Sequence, residues 1–229
     1  MHALVLADGD PPTRAALDDA WPGWDAGVDL VVAADGGARL ADALGLVIDR
    51  WVGDGDSLGQ DGIATLRDRG VLIELAPVNK NESDTELGLL AALESGATTV
   101  TFLGALGGLR PDHALANIAL LGHPAAVGRA LEILDPRARI RMLDATTSGY
   151  AHEPVRLDLT GRISDLVSLI PMQEVTGATT WGLQFPLAEA TLPAGPSRTL
   201  SNIRTASSAE VSIRTGRLLV VEAPATLSP

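Results

Sequence analysis

The chain contains no cysteine, few aromatic residues and a deficit of positive charge. Across its 229 residues there is no Cys, which excludes disulfides and thiolate chemistry. Lys and Arg number 17 against 29 Asp and Glu, and the net charge of −12 argues against a general binder of nucleic acid or acidic membranes. Aromatic residues make up 3% of the chain, so each aromatic side chain near a predicted site is informative.

Long apolar runs and targeting signals are also lacking. No apolar run approaches the length needed to cross a bilayer. The first residues, MHALVLA, lack a basic start and meet Asp8 too early for a signal peptide, so they predict a first strand. We therefore expect a cytoplasmic protein without a membrane partner. Hydrophobic residues make up 46%, enough for the core of one large domain or two small ones.

Short apolar strands alternate with helices through the first half of the chain. The pattern predicts strands at 3–7, 29–34, 50–53, 71–75 and 98–103, and helices near 13–20, 38–45, 59–69, 84–95 and 112–121. Such alternation is typical of a Rossmann-like α/β domain, in which a parallel sheet carries helices on both faces. Ligands of these sheets bind beyond the carboxyl ends of the strands.

Acidic and glycine-rich turns follow the predicted strands on that one edge. The stretch GDGDS places Asp54 and Asp56 two residues apart, so on an extended chain both carboxylates point to the same side. A hard cation such as Mg²⁺ prefers oxygen ligands and offsets the repulsion between two carboxylates. An acidic turn without a ligand is the alternative, because Asp and Gly are common turn residues. Asp8, Asp35-Gly36-Gly37 and Gly104 to Gly108 follow the other strands, and this one-sided clustering favours metal or phosphate chemistry.

The second half has a different character. From about residue 125 the chain predicts short strands at 131–135, 140–144, 154–159, 166–170, 174–180, 210–214 and 217–222, without a helix pattern beyond residue 145. These segments predict an antiparallel β-sandwich. We place the domain boundary so that residues 1–147 form a catalytic α/β domain that binds ATP and magnesium, and residues 148–229 form a β-sandwich domain.

Four motifs in order resemble those of the thiamine pyrophosphokinase family. They read ADGGARL, WVGDGDSL, NKNESDTELGL and GALGGLRPDHALANIALL. Two later segments, VSLIPMQEVTGATTWGLQFPL and TLSNIRTASSAEVSIRTGRLLVV, resemble the family's C-terminal β domain. The resemblance implies transfer of a pyrophosphoryl group from ATP to the hydroxyethyl oxygen of thiamine, with Mg²⁺, giving thiamine diphosphate and AMP. It also implies a homodimer in which each site combines the N-terminal domain of one subunit with the β domain of the other.

The resemblance also implies a set of site residues. The catalytic set is Asp35, Asp54, Asp56, Asp84, Arg110 and Asp112, and Asp54, Asp56 and Asp84 are the expected ligands of Mg²⁺. Substrate-binding positions are Gly36, Gly37, Ser57, Lys80, Gly107, Gly108, His113, Asn117, Phe185, Ser201 and Asn202.

Several of these residues also have an ordinary structural interpretation. Asp84 is alternatively a first-turn carboxylate that favours the helix dipole. Lys80 and Arg110 are alternatively solvated surface side chains, although an Arg fork suits phosphate oxygens. Asp112 either orients Arg110 or accepts a substrate proton, and His113 organises the turn.

Thiamine carries an aromatic pyrimidine and a cationic thiazolium, which both suit an aromatic partner. The family's stacking position corresponds to Phe185. Trp181, four residues earlier, is the alternative or is simply part of the core, and Tyr150 is the remaining aromatic residue of this half. The pair Ser201-Asn202 corresponds to a family pair expected near the pyrimidine, and its alternative is a polar turn.

The chain departs from the family pattern at two points. Leu109 stands between Gly108 and Arg110, which makes that loop one residue longer. Asp8 stands where the family often has an Asn-Gly turn, and it receives no catalytic role. Two other functions stay open, namely a pyrophosphokinase for another alcohol such as a hydroxymethylpterin, and a nucleotide-binding module without catalysis. The β-sandwich and the Ser-Asn pair favour thiamine, and the joint presence of the acids and Arg110 favours catalysis.

Overall fold

The computed structural model describes residues 1–146 and 153–225. The chain divides into two compact units, the first unit Met1–Pro136 and the second unit Arg137–Pro229. The domain boundary predicted between 147 and 148, and Tyr150, lie outside the described residues. Within the described ranges, no helix combines the length and apolar character that a membrane span needs.

The first unit has the predicted alternation of strands and helices. Its elements are β1 (His2–Leu6), α1 (Arg14–Ala20), β2 (Leu30–Ala34), α2 (Ala38–Leu44), β3 (Arg50–Gly53), α3 (Gly59–Asp68), β4 (Leu72–Leu75), α4 (Asp84–Glu94), β5 (Thr99–Leu103), α5 (Pro111–Ala119) and β6 (Ala130–Asp135). The strands lie in the order β6-β5-β1-β2-β3-β4, and every neighbouring pair is parallel.

Helices cover both faces of this sheet, as predicted. Leu4 and Leu6 of β1 belong to a buried cluster that includes side chains of α1, α2 and α3. Val5, between them, points to the opposite face, because successive strand residues alternate. On that face Val5 packs against Gly88 of α4, and a Cβ added at Gly88 would lie 2.7 Å from Val5 Cγ1. The near-continuous apolar runs of the central strands follow from burial on both faces.

The strand order reverses beside β1. From β1 the chain continues outward through β2, β3 and β4, and then returns to place β5 on the other side of β1. The segments that leave β1 and β2 therefore turn away from the segment that leaves β5, which opens a crevice at their carboxyl ends. The topology alone places a binding crevice at this edge.

The second unit is the predicted antiparallel β-sandwich. Its strands are β7 (Ala138–Asp144), β8 (Val155–Leu159), β9 (Leu166–Pro171), β10 (Val175–Trp181), β11 (Ala190–Leu192), β12 (Asn202–Ile203), β13 (Ala209–Ile213) and β14 (Arg217–Ala223). One layer runs β12-β9-β14-β7 and the other β11-β10-β13-β8. Residues from both layers, among them Leu169, Leu218, Val211 and Ile213, share one buried cluster. The sequence did not predict β11 or β12, which are only three and two residues long.

Candidate active site

A cleft of about 500 Å³ opens at the carboxyl ends of β1, β2 and β5 in the first unit. Nine of the predicted site residues line it, namely Asp35, Asp56, Ser57, Asp84, Gly107, Gly108, Arg110, His113 and Asn117. The cleft is therefore acidic along one wall and formed by glycine backbone and Arg110 along the other.

Asp35 lies at the inner end of the cleft in an unusual backbone conformation. Its φ is 42°, in the left-handed region that few residues other than glycine adopt. The buried indole of Trp51 donates from Nε1 to the Asp35 carbonyl at 3.0 Å and helps to hold this conformation. Asp35 is only 4% exposed, and its Oδ1 has no hydrogen-bond partner among the described residues. Burial raises the pKa of Asp35, and the neighbouring charges of Asp84 and Asp56 raise it further, although a hydrogen bond from Ser57 acts in the opposite direction.

Asp54 has the opposite electrostatic environment. The backbone N–H of Asp56 donates to its Oδ1 at 3.2 Å, and Lys80 Nζ donates to its Oδ2 at 3.1 Å. These two contacts lower the pKa of Asp54, the backbone bond contributing most. The surroundings of Asp54 therefore stabilise its charged form, whereas those of Asp35 destabilise its charged form.

Lys80 joins Asp84, which lines the cleft, to Asp54. Its Nζ lies 3.1 Å from Asp54 and 2.7 Å from Asp84, and its side chain is 10% exposed. Burial lowers the pKa of Lys80, but the hydrogen bonds to Asp84 and Asp54 together outweigh it, so the net shift is upward. Ser83 caps α4 by accepting from the backbone N–H of Glu86, and this fixes the first turn that carries Asp84.

Three carboxylates could share a cation. Asp35, Asp54 and Asp56 each offer an oxygen, and these oxygens lie within 4.8 Å of one another. The unpartnered Oδ1 of Asp35 fits this interpretation, because a buried carboxylate oxygen without a donor is costly unless a cation binds it. All-oxygen donors suit Mg²⁺. Asp84, a predicted ligand, is outside this group of three and contacts Lys80 instead.

Arg110 and Asp112 form a fork at the mouth of the cleft. Arg110 donates from Nε to Asp112 Oδ1 at 2.9 Å and from Nη2 to Oδ2 at 2.5 Å. Both side chains are mainly exposed. The hydrogen bond from Arg110 lowers the pKa of Asp112 to about 2. Leu109, the extra residue of the loop, is fully exposed, and Arg110 nevertheless lines the cleft.

The glycine loop between β5 and α5 is tied to the loop that follows β1. Gly9 N–H donates to the Gly104 carbonyl at 2.7 Å, and Asp10 accepts from Gly108 N–H at 2.9 Å. A Cβ on Gly104 would lie 2.5 Å from the Ala7 carbonyl oxygen, so only glycine permits this approach. Asn117, expected to bind substrate, donates to the Ala105 carbonyl at 2.8 Å and thereby supports the same loop.

Three charged residues near the cleft were not predicted as site residues. Asp8 lines it, and Arg39 contacts Asp8 at 3.4 Å and donates to the Ser57 carbonyl at 2.5 Å. Asp10 holds the glycine loop through Gly108. The signal for Asp8 and Asp10 was present in the sequence, since both follow the first strand as Asp54 and Asp56 follow the third. Arg39 lies inside the ADGGARL motif, which gave no indication that its side chain would reach across to Ser57.

Gly36 and Gly37 shape the wall behind the cleft. A Cβ on Gly36 would lie 2.1 Å from Asp8 Oδ2, and one on Gly37 would lie 2.0 Å from the Leu6 carbonyl oxygen. The Asp-Gly-Gly turn therefore lets the start of α2 pack directly against the end of β1. His113 is exposed on the first turn of α5 and lines the cleft.

The remaining predicted residues lie together in the second unit. Phe185 and Asn202 line a small cavity of about 130 Å³. Asn202 Oδ1 accepts from Phe185 N–H at 3.0 Å, and Asn202 Nδ2 donates to the Phe185 carbonyl at 2.7 Å. Ser201 is exposed, with a φ of 55°. Trp181 is 60% exposed at the end of β10, so the core alternative for this residue is wrong.

Each unit matches a known family. The family model described as "Thiamin pyrophosphokinase, catalytic domain" matches residues 24–133, and the one described as "Thiamin pyrophosphokinase, vitamin B1 binding domain" matches residues 155–220. A curated thiamine pyrophosphokinase of Bacillus subtilis (strain 168) is 25% identical over 187 residues, which are 81% of this chain and 83% of that protein.

Solved structures agree in fold. The thiamine pyrophosphokinase from Bacillus subtilis superposes with a TM-score of 0.78 at 23% identity, covering 98% of this chain and 99% of that chain. The thiamin pyrophosphokinase from Geobacillus thermodenitrificans gives a TM-score of 0.76 at 25% identity, covering 97% of each chain. The catalytic-domain model covers the four motifs and the vitamin B1 binding model covers most of the second unit, so the chain belongs to the thiamine pyrophosphokinase family.

Proposed function

We propose that the cleft of the first unit binds ATP with Mg²⁺ and that the exposed surface around Phe185 in the second unit binds thiamine. Because the chain belongs to this family, it is an ATP-dependent kinase that forms thiamine diphosphate and AMP from ATP and thiamine. The hydroxyethyl oxygen of thiamine attacks the β-phosphorus of ATP, and AMP leaves. Such transfers depend mainly on positioning and on the stabilisation of charge.

The single observation that carries the metal proposal is the group formed by Asp35, Asp54 and Asp56. Their oxygens lie within 4.8 Å of one another at the end of the cleft. Mg²⁺ held there would neutralise charge on the triphosphate. Asp84, paired with Lys80, completes the acidic wall and is proposed to act through water or through that lysine rather than as a direct ligand.

The cationic side chains of the cleft have separate roles in this proposal. Arg110 is exposed at the mouth, where its fork can exchange the Asp112 carboxylate for phosphate oxygens. Lys80 is buried between two carboxylates and keeps them in place. Asp112, with a pKa of about 2, is a poor proton acceptor at neutral pH. We therefore assign Asp112 to the orientation of Arg110.

The proposed thiamine surface rests on Phe185 and its neighbours. The match to the vitamin B1 binding domain covers this region, and Phe185 is 64% exposed beside a small cavity. An exposed ring can stack on the thiamine rings and attract the thiazolium charge. Trp181 is exposed to a similar degree and stays an alternative partner.

The test is turnover with defined substrates. Purified protein incubated with ATP, Mg²⁺ and thiamine should yield AMP and thiamine diphosphate in equal amounts. The Asp56→Ala variant should fold and lose turnover, whereas Asp68→Ala, which removes an exposed acid at the end of α3, should behave as wild type. AMP formed only with a hydroxymethylpterin would select another alcohol as substrate. A lack of AMP with any alcohol would indicate a binding module.

The proposed homodimer with shared sites has its own test. If the first unit of one subunit and the second unit of its partner form a site, mixed dimers of Asp56→Ala and Phe185→Ala contain one intact site. Dissociating and reassociating the two variants together should then restore activity at low thiamine concentration. Activity that stays at the sum of the two separate variants would show that each site is built from a single chain.

A further inference from the structure

The side-chain amide of Asn202 is occupied by backbone groups. Its Oδ1 accepts from Phe185 N–H at 3.0 Å and from Ile203 N–H at 2.9 Å, and its Nδ2 donates to the Phe185 carbonyl at 2.7 Å. An Asn side chain offers two acceptor positions and two donor positions. Both acceptor positions and one donor position therefore serve the protein itself, which leaves little for a substrate.

Two of these bonds form a clamp on one residue. The amide binds both the N–H and the carbonyl of Phe185, as a neighbouring strand residue would in an antiparallel ladder. Asn202 and Phe185 are separated by 17 positions in the chain, so the clamp joins the loop between β10 and β11 to strand β12. It fixes the backbone on both sides of the Phe185 Cα and therefore fixes the direction from which the ring leaves the chain.

The loop that carries Phe185 needs such a support. It connects β10 to β11, and Thr180 and Leu187 close its base through hydrogen bonds in both directions. Gln184 N–H donates to the Ile203 carbonyl, which brings the loop alongside β12. Phe185 is 64% exposed, so packing alone holds its ring weakly. An exposed aromatic side chain that must be ordered on binding costs affinity, and a preformed orientation avoids that cost.

We propose that Asn202 is a positioning residue, which binds thiamine indirectly by holding Phe185 in the stacking orientation. This inference rests on the proposed thiamine role of Phe185. It gives Asn202 a role different from the direct pyrimidine contact that the sequence motif implied. Loss of the clamp should weaken thiamine binding and leave the ATP cleft of the first unit unaffected.

A double-mutant cycle distinguishes positioning from direct contact. Thiamine affinity is measured by calorimetric titration of the full chain for wild type, Asn202→Ala, Phe185→Ala and the double variant. Asn202→Ala should raise the Kd and the KM for thiamine about tenfold, with kcat and the KM for ATP changed by less than about twofold. The double variant should be no weaker than Phe185→Ala alone, because the clamp has no function once the ring is gone.

Thr205→Val provides the matched control. It removes a hydrogen bond from Thr205 Oγ1 to the Gly182 carbonyl, which joins the segment after β12 to the loop between β10 and β11, away from the Phe185 backbone. This variant should keep the thiamine Kd of wild type, and equal weakening by Thr205→Val and Asn202→Ala would reduce the effect to general loosening and overturn the proposal.

Two further outcomes are informative. If the thiamine Kd of the double variant rises by about the product of the two single fold-changes, the two effects are independent, and Asn202 contacts thiamine directly. That result overturns the clamp and leaves the thiamine role of Phe185 intact. An unchanged Kd for Phe185→Ala would instead remove Phe185 from the thiamine site, and the clamp proposal with it.

Discussion

Asp35 and Asp54, two acids of the possible cation group, should respond in opposite ways to removal of their charge. Replacing Asp35 by Asn is expected to stabilise the metal-free protein, because the Asp35 carboxylate is 4% exposed and faces the charges of Asp84 and Asp56. Asn has nearly the same shape and tolerates the left-handed conformation at φ 42°. Replacing Asp54 by Asn is expected to destabilise it, because its carboxylate accepts hydrogen bonds from Lys80 and from the Asp56 backbone.

The direction of each pKa shift sets the pH range of these effects. The pKa of Asp35 is raised above its ordinary value of 3.8, so wild type loses stability as pH rises through the folded value, and the gain from Asp35→Asn is present at neutral pH. The pKa of Asp54 is lowered, so its contribution is present above 3.8 and is lost as pH falls through the folded value. Near pH 3 the difference in stability between each variant and wild type should shrink.

The magnitude follows from the contacts. Asn at position 54 keeps one acceptor oxygen for the Asp56 N–H but loses the charge-assisted hydrogen bond from Lys80. Lys80 keeps Asp84 as a partner, so we expect a loss of about 1 kcal/mol. Relief of the buried charge at Asp35 is expected to gain a similar amount, about 1 kcal/mol. For a chain of this size each change corresponds to a Tm shift of about 2–4 °C, upward for Asp35→Asn and downward for Asp54→Asn.

The assay is thermal unfolding at pH 7 with a chelator, repeated with Mg²⁺. Wild type should gain stability with Mg²⁺ by about 2.7 kcal/mol at a hundredfold excess over Kd, and neither variant should gain as much. Both variants should lose most turnover, so the gain in stability from Asp35→Asn comes with a loss of function. Shifts of the same sign in the metal-free protein would refute the electrostatic reasoning, and an undiminished response to Mg²⁺ would refute the metal assignment.

Three further substitutions test other parts of the molecule. Arg110→Lys removes the fork but keeps the charge, and kcat/KM for ATP should fall about tenfold or more while the Tm stays unchanged. Gly37→Ala places a Cβ 2.0 Å from the Leu6 carbonyl oxygen, and denaturant unfolding should show a loss of more than about 2 kcal/mol. Glu222→Gln removes the charge from a carboxylate that is 1% exposed and contacts Arg141, and it should cost about 3 kcal/mol by the same measurement.

The fold was predictable to within a few residues because its signals are local. In the first unit β1, β2, β3 and β5 are short apolar runs that end at a glycine or acidic turn. Helix α4 begins at Asp84, as predicted, and Ser83 caps it. The short strands β11 and β12 carry no such signal. Two or three residues are too few for a recognisable period of two, and their pairing is decided by the neighbouring strands β10 and β9.

Side-chain partners were harder to predict than positions. The sequence brought Asp84 into the metal set, but its i,i+4 contact with Lys80 competes for the carboxylate. It assigned Asn117 to substrate, whereas the amide supports the Ala105 carbonyl. In both cases the residue lines the cleft, and its nearest partner is a group of the protein itself. Motif spacing does not encode which group that is.

The cleft of the first unit is anionic even after its cations are counted. Lys80, Arg39 and Arg110 each contact at least one carboxylate of the same region. The acids that line or border it are Asp8, Asp35, Asp54, Asp56, Asp84 and Asp112. A triphosphate entering alone would meet this excess of negative charge within a chain whose net charge is already −12. A divalent cation held by Asp35, Asp54 and Asp56 would offset part of this negative charge and could reverse the local field. The charge pattern therefore favours ATP that arrives with its metal ion, and it explains how a strongly acidic protein binds an anionic substrate.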